Sequence, residues 1–202
     1  MKQVYSRIQY STTKFNTPTL EILKKNKAVI RFLGIFFGTY IVLTLAYQLY
    51  LDNVGSEIYF PEPVTHIVAL QTESLINFLG YETKMIPSHY DPSMRLGING
   101  DYLVRVVEGC NAVSVIILFL SFVLAFKKDW KSTLLYIFAG SVLIYAFNVL
   151  RIALLTIGIY EMPEYTELMH GTLFPLFIYG FVFLLWIFWI KNYKTSNSPN
   201  NE

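Results

Sequence analysis

Four apolar runs, residues 29–50, 111–126, 133–159 and 173–190, carry almost no charge and decide what this chain can become. About 20 helical residues cross a hydrocarbon layer roughly 30 Å thick, and a backbone in lipid must satisfy its own hydrogen bonds, so each run reads as a membrane helix. The second is short and the third long. With 54% hydrophobic and 15% charged residues, the 202-residue chain has more apolar surface than a soluble core of that size can use. The first run starts late, is too long for a signal-peptide core and has no small-x-small cleavage site after it, so it is expected to remain as a span. The expected fold class is all-α: a multi-pass membrane protein of about four transmembrane helices, with a small extracytoplasmic segment that includes a β-hairpin.

Basic residues divide unequally between the ends of these runs. Lys2, Arg7, Lys14, Lys24, Lys25, Lys27 and Arg31 precede or open the first; Lys127, Lys128 and Lys131 join the second to the third; Lys191 and Lys194 follow the fourth. Lys84, Arg95, Arg105 and Arg151 fall on the other side. The positive-inside rule then puts both termini in the cytoplasm. Of the 14 acidic residues, all but Glu21, Asp129 and Glu202 lie on the opposite face, so the net charge of +2 is an average and implies no nucleic-acid partner. The expected organisation is a cytoplasmic segment 1–28, a membrane domain 29–190 that includes an extracytoplasmic segment 51–110, and a disordered cytoplasmic tail 191–202. The protein is expected in the cell inner (cytoplasmic) membrane, with its chemistry facing outward.

Within the outer segment, Val64, Ile67, Val68, Leu75, Ile76 and Leu79 fall mostly on one helical face ending at Gly80, which predicts an amphipathic helix lying on the membrane. Asn99-Gly100 between residues 94–98 and 101–107 predicts a tight hairpin, because both turn residues accept positive φ. The second strand leads into Glu108-Gly109-Cys110. Cys110 is therefore expected at or near the start of the second membrane helix, where orphan amides and the helix dipole favour a thiolate.

Cys110 is the only cysteine, so no intramolecular disulfide can form on a side where disulfides are otherwise expected. Arg151 shares a helix face with Asn148 and lies in an apolar run, where a guanidinium is costly unless it meets protein or water. His170, in Met169-His170-Gly171-Thr172, returns to the same outer face. Thiolate, imidazole and guanidinium are the parts of acyl transfer: a nucleophile, a proton carrier and a cation for the developing oxyanion. The plain alternatives are a small packed thiol, an arginine snorkelling to headgroups and a structural boundary histidine. His66 and His89 are also external, but neither has a companion thiol or cation nearby in sequence. Glu161, Glu164 and Glu167 read as solvated linker residues or as groups that orient His170.

Glu108-Gly109-Cys110-Asn111-Ala112 before an apolar helix, Asn148-Val-Leu-Arg151 late in the next, and His170 opening the last, followed by Tyr179-Gly180, resemble the exosortase/archaeosortase family, and its short F-type subgroup in particular. The resemblance runs from about Gly100 to Ile190. Asn111 stands where many members have Ser or Ala, and Gly171 and Gly180 replace a glycine about four residues after the histidine. The resemblance implies a membrane cysteine transpeptidase that cuts C-terminal sorting signals, with Cys110 as nucleophile, Arg151 as stabilising cation and His170 as acid and base. Asn148, Gly109 and Glu108 would support them. It implies membrane-anchored protein substrates, an acceptor the sequence does not name, and no cofactor or metal.

Neither zinc-ligand spacing nor a phosphate loop nor a Gly-x-Ser-x-Gly elbow is present in the sequence. Pro61-Glu62-Pro63 reads as a loop at a helix entry and is given no functional weight. Two rival readings stand beside the transpeptidase: a non-catalytic membrane scaffold of a secretion or surface-polymer complex, and a small-solute transporter subunit with Arg151 as an anion site.

Overall fold

The computed structural model describes residues 26–54, 61–88, 90–127 and 129–196. In chain order its elements are α1 (Lys27–Val54), α2 (Pro63–Phe78), β1 (Thr83–Pro87), β2 (Met94–Ile98), β3 (Asp101–Val106), a 3-10 turn (Glu108–Cys110), α3 (Val113–Ala125) and α4 (Trp130–Glu161). A 3-10 turn (Pro163–Tyr165), one α-helical turn (Thr166–Leu168) and a π-helical turn (Met169–Leu173) then lead into α5 (Phe174–Ser196). His89 and Lys128, the basic residues before Asn26 and the last six residues lie outside the described residues. Residues 191–196, expected as the start of a disordered tail, continue α5 instead.

Among the described residues, three stretches are long and apolar enough to cross a membrane: Lys27–Val54, Trp130–Glu161 and Pro163–Lys191. The run expected at 111–126 folds as the 13-residue α3, about 20 Å of helix. Its beginning is taken up by a turn around Cys110 rather than by helix.

Ring and side-chain contacts show that consecutive members of α1, α3, α4 and α5 run in opposite directions. Phe32 of α1 packs on Phe126 (4.5 Å between centroids) while Asn111, before α3, reaches Tyr47 near the other end of α1. Phe119 of α3 lies beside Tyr136 and against Gly140, which has no Cβ to obstruct the ring. On the other face of α4, Phe147 stacks on Phe181 at 4.0 Å and Tyr136 on Trp189 at 4.6 Å, and the Tyr136 hydroxyl donates to the Leu185 carbonyl. These aromatic layers make the bundle's central core around Phe119, Val123, Ile144, Ile178 and Val182.

One end of the bundle carries an additional small domain. β1, β2 and β3 form an antiparallel sheet in that order, with Met94 opposite Val106 and Ile98 opposite Asp101. The predicted hairpin is present: Asn99 and Gly100 have φ of 52° and 95°. A bulge follows Leu96, and Gly97 faces the Asp101 carbonyl so closely that a Cβ there would lie 2.6 Å from its oxygen. Inward residues Met94, Leu96, Ile98 and Val106 pack with Val68, Ala69 and Ile76 of α2 and with Val149, Ile152 and Ala153 of α4. The amphipathic helix expected on the membrane thus buries Val68 and Ile76 in protein, against the sheet and α4. Ile67, Leu70 and Phe78 remain exposed.

This packing explains the length of α4. Its 32 residues span about 48 Å, well beyond a hydrocarbon layer, and the excess is apolar because the sheet and α2 cover it. Arg151 lies 21 residues after Trp130, about 31 Å along the axis, where the bundle meets the small domain.

Candidate active site

β3 runs into the 3-10 turn, where the Cys110 amide donates to the Val107 carbonyl at 2.7 Å. Cys110 sits three residues before the first residue of α3 rather than on its first turn, because Ala112 reverses the chain with φ of 65°. A non-glycine residue there costs on the order of 1 kcal/mol, so the neighbouring structure must hold it. Asn111 does this. Its Oδ1 accepts from the Val113 amide at 2.9 Å, capping α3, while its Nδ2 lies 2.6 Å from Glu62 Oε1 and 2.6 Å from the Tyr47 hydroxyl. The helix dipole expected to act on the thiol is therefore offset from it by this elbow.

A guanidinium is the nearer source of positive charge. Arg151 lies close to the Cys110 thiol and to Tyr179 of α5. Its Nε is buried and has no hydrogen-bond partner. One turn earlier on α4, the buried Asn148 donates from Nδ2 to the Cys110 carbonyl at 2.6 Å. The same face of α4 thus fixes the backbone of Cys110 through one residue and brings the other near its sulfur. A cavity of about 180 Å³ opens beside them between α3, α4 and α5, lined by Gly109, Ala112, Asn148, Arg151, Pro175 and Tyr179 among others. Cys110 itself is half-buried, Gly109 exposed and Glu108 half-buried.

His170 is held differently. It belongs to the π-helical turn that opens the last helix, an irregularity common at functional sites. Its neighbour Met169 is buried with Leu155 and Phe174 and packs against Gly158, which pins the turn to α4. His170 is exposed and makes no hydrogen bond to Cys110 or Arg151. Leu155 and Gly158 lie four and seven residues beyond Arg151, so this turn stands roughly 6–10 Å farther along the axis. The structure brings Cys110, Arg151, Asn148 and Gly109 together and leaves His170 at the rim above them. Among the described residues, no group of three His, Cys, Asp or Glu side chains converges on a common point for a metal.

Glu62 is the residue that sequence reasoning passed over. It is 4% exposed and caps α2, accepting from the Val64 amide at 2.6 Å and from the Thr65 amide at 2.9 Å and its hydroxyl at 2.6 Å. The same carboxylate accepts from Asn111, the residue after Cys110. Pro63 at the first helical position was the only local signal, and it indicates a helix entry without indicating what lies opposite.

The family model described as Transmembrane exosortase matches residues 29–191, most of the chain. No curated protein and no solved structure matches it.

Proposed function

The chain belongs to the transmembrane exosortase family, and from that premise we propose that it is a cysteine transpeptidase, of the short F-type subgroup, acting on membrane-anchored proteins with C-terminal sorting signals. The observation that carries this reading is the pairing of the single thiol with a buried arginine whose Nε is unpartnered, beside a cavity open between three helices.

In this reading the Cys110 sulfur attacks the scissile carbonyl, and its proton passes to His170. The carbonyl oxygen becomes an oxyanion that takes hydrogen bonds from Arg151, which gains most from this contact as the negative charge develops. Collapse of the tetrahedral intermediate breaks the C–N bond, the proton moves from His170 to the leaving amine, and a thioester remains on Cys110. An incoming amine, or water, then attacks the thioester and releases the thiol. Asn148 is the positioning residue that holds the Cys110 carbonyl.

Because His170 stands at the rim, substrate must draw the π-helical turn inward or be bridged by water for proton transfer; proton-transfer geometry often tightens only with substrate bound. The proposed topology has four crossings, α1, α3, α4 and α5, with both ends of the chain in the cytoplasm and the small domain outside the inner membrane. Antiparallel packing supports the α3 crossing: between Cys110 and Lys127 the chain covers the same stretch as Asn148 to Trp130 on α4, about 27 Å.

Cys110→Ala and Cys110→Ser test the proposal in cells that carry a sorting-signal precursor. Both should leave the precursor unprocessed while the variant protein accumulates normally, since losing the nucleophile removes the covalent route whereas losing a small packed thiol costs only about 1 kcal/mol of stability. The exposed His170 favours one rival, a non-catalytic scaffold of a secretion or surface-polymer complex. Normal processing by both variants would select the scaffold.

A further inference from the structure

At the end of the bundle opposite the sheet, a groove of about 1030 Å³ runs between α1 and the end of α3. Its mouth carries Lys27, Arg31 and Lys127, and among the described residues no carboxylate lines it. Below the cations, the walls are Phe32, Ile35 and Leu124, and the groove extends along α1 to Thr39. From Lys27 to Thr39 the helix rises about 18 Å, so polarity changes along the groove from cationic at the end of the span to apolar within it. Trp130 closes the mouth, with the Lys127 ammonium 3.4 Å from its ring centroid. Phe32 against Phe122 and Phe126 fixes the crossing of the two helices, so the groove is formed by packed walls.

We infer that this groove binds an anionic glycerophospholipid of the surrounding bilayer, its phosphate between Lys27, Arg31 and Lys127 and its upper acyl chains along Phe32, Ile35 and Leu124. Three cations, with no carboxylate among the described lining residues, select a negative ligand. The apolar floor selects the source: a free phosphate would fill only the mouth of a groove that is at the upper end of the ordinary range for a small-molecule site. An interfacial tryptophan beside a lysine is also what a headgroup layer favours. The site lies at the opposite end of the bundle from Cys110 and does not depend on the catalytic reading.

The test uses the full chain purified in neutral detergent, with phosphatidylglycerol or phosphatidylcholine added and bound lipid counted by native mass spectrometry. Phosphatidylglycerol should be retained at least tenfold more tightly than phosphatidylcholine. Each surface cation contributes roughly fivefold to such a preference, so Arg31→Gln alone should lower it by about that factor and the triple variant Lys27→Gln/Arg31→Gln/Lys127→Gln should abolish it. Lys84→Gln, on the sheet, should leave it unchanged. Thermal unfolding in phosphatidylcholine serves as the folding control, and the single Arg31 variant decides the matter if the triple variant does not fold. Equal retention of the two lipids, an undiminished preference in the Arg31 variant, or displacement by millimolar inorganic phosphate would overturn the proposal, the last by assigning the mouth to a soluble anion.

Discussion

Replacing Glu62 probes whether the turn around Cys110 is held from a distance. The carboxylate accepts from two backbone amides at the start of α2, from the Thr65 hydroxyl and from Asn111, and is 4% exposed. Glu62→Ala removes the cap, at about 1 kcal/mol, and leaves the buried Thr65 and Asn111 donors short of an acceptor, at about 1–3 kcal/mol each. Asn111 keeps Tyr47 as an acceptor, so the expected total is about 2–4 kcal/mol. Glu62→Gln preserves shape but turns an NH2 group toward donors and should cost about half as much. Loosening Asn111 also frees the Val113 cap and the strained Ala112, so alkylation of Cys110 by a small maleimide should speed up severalfold in both variants. Thermal unfolding and alkylation kinetics on the purified protein read the two effects. If Glu62→Ala unfolded within a degree or two of the parent and its thiol reacted at the parental rate, the buried carboxylate would not hold the turn.

Arg151→Lys should accumulate normally yet lose most processing of a sorting-signal precursor, because one ammonium cannot supply the planar set of donors that guanidinium offers; full processing would remove Arg151 from the transition state. Cys110 should react with a membrane-impermeant maleimide in intact cells, while a reporter fused after residue 202 should be active only inside; an externally active reporter would overturn the proposed topology. Hydrogen bonds from Ser88 and Ser93, together with Arg105 at 2.7 Å, hold the Asp91 carboxyl below the usual carboxylate range. A depressed folded pKa stabilises the loop above the unfolded value and loses that contribution as pH falls through the folded one, so amide protection around Ser88–Ser93 should persist down to about pH 4 and fall below it. Loss of protection already between neutrality and about pH 5 would contradict this assignment.

The parts of the molecule legible in sequence were those with local causes. Asn99-Gly100 fixes its hairpin through the φ angles of two adjacent residues, and the long apolar runs fix α1, α4 and α5 through solvent preference. β1 was missed because five residues ending in Pro87 show little alternation, and its pairing with β2 is a tertiary matter. The apolar residues after Arg151 read only as part of a membrane span, and Ile152, Ala153 and Leu155 are buried in protein. Hydropathy cannot separate these two solvents, since both exclude water. Glu62 was discounted for a related reason: Pro-Glu-Pro is a sufficient local account of a helix entry, and the contact that gives the carboxylate a second role comes from Asn111, 49 residues later. Of the residues expected from sequence, Asn148 holds the Cys110 carbonyl and Arg151 lies near its thiol, while His170 is exposed on the π-helical turn and makes no hydrogen bond to either.

That separation follows from how the two helices are anchored. Asn148 and Arg151 meet Cys110 where α4 has risen about 27–31 Å from Trp130, close to the thickness of a hydrocarbon layer. Met169 packs farther along α4, against Leu155 and Gly158. On the proposed topology the thiol and guanidinium lie near the membrane rim, and the imidazole in the layer above it. A peptide emerging from its own membrane helix would meet the first pair as soon as its backbone leaves the hydrocarbon, and would reach the level of His170 only two or three extended residues later, at about 3.3 Å each. In the proposed mechanism a proton relay across that interval requires the π-helical turn to move or the substrate to bridge it. Deleting one residue among Gly171–Leu173 should restore regular α-helix and fix His170 in a single orientation. Processing that survived this deletion unchanged would mean that the π-helical turn has no part in delivering the proton.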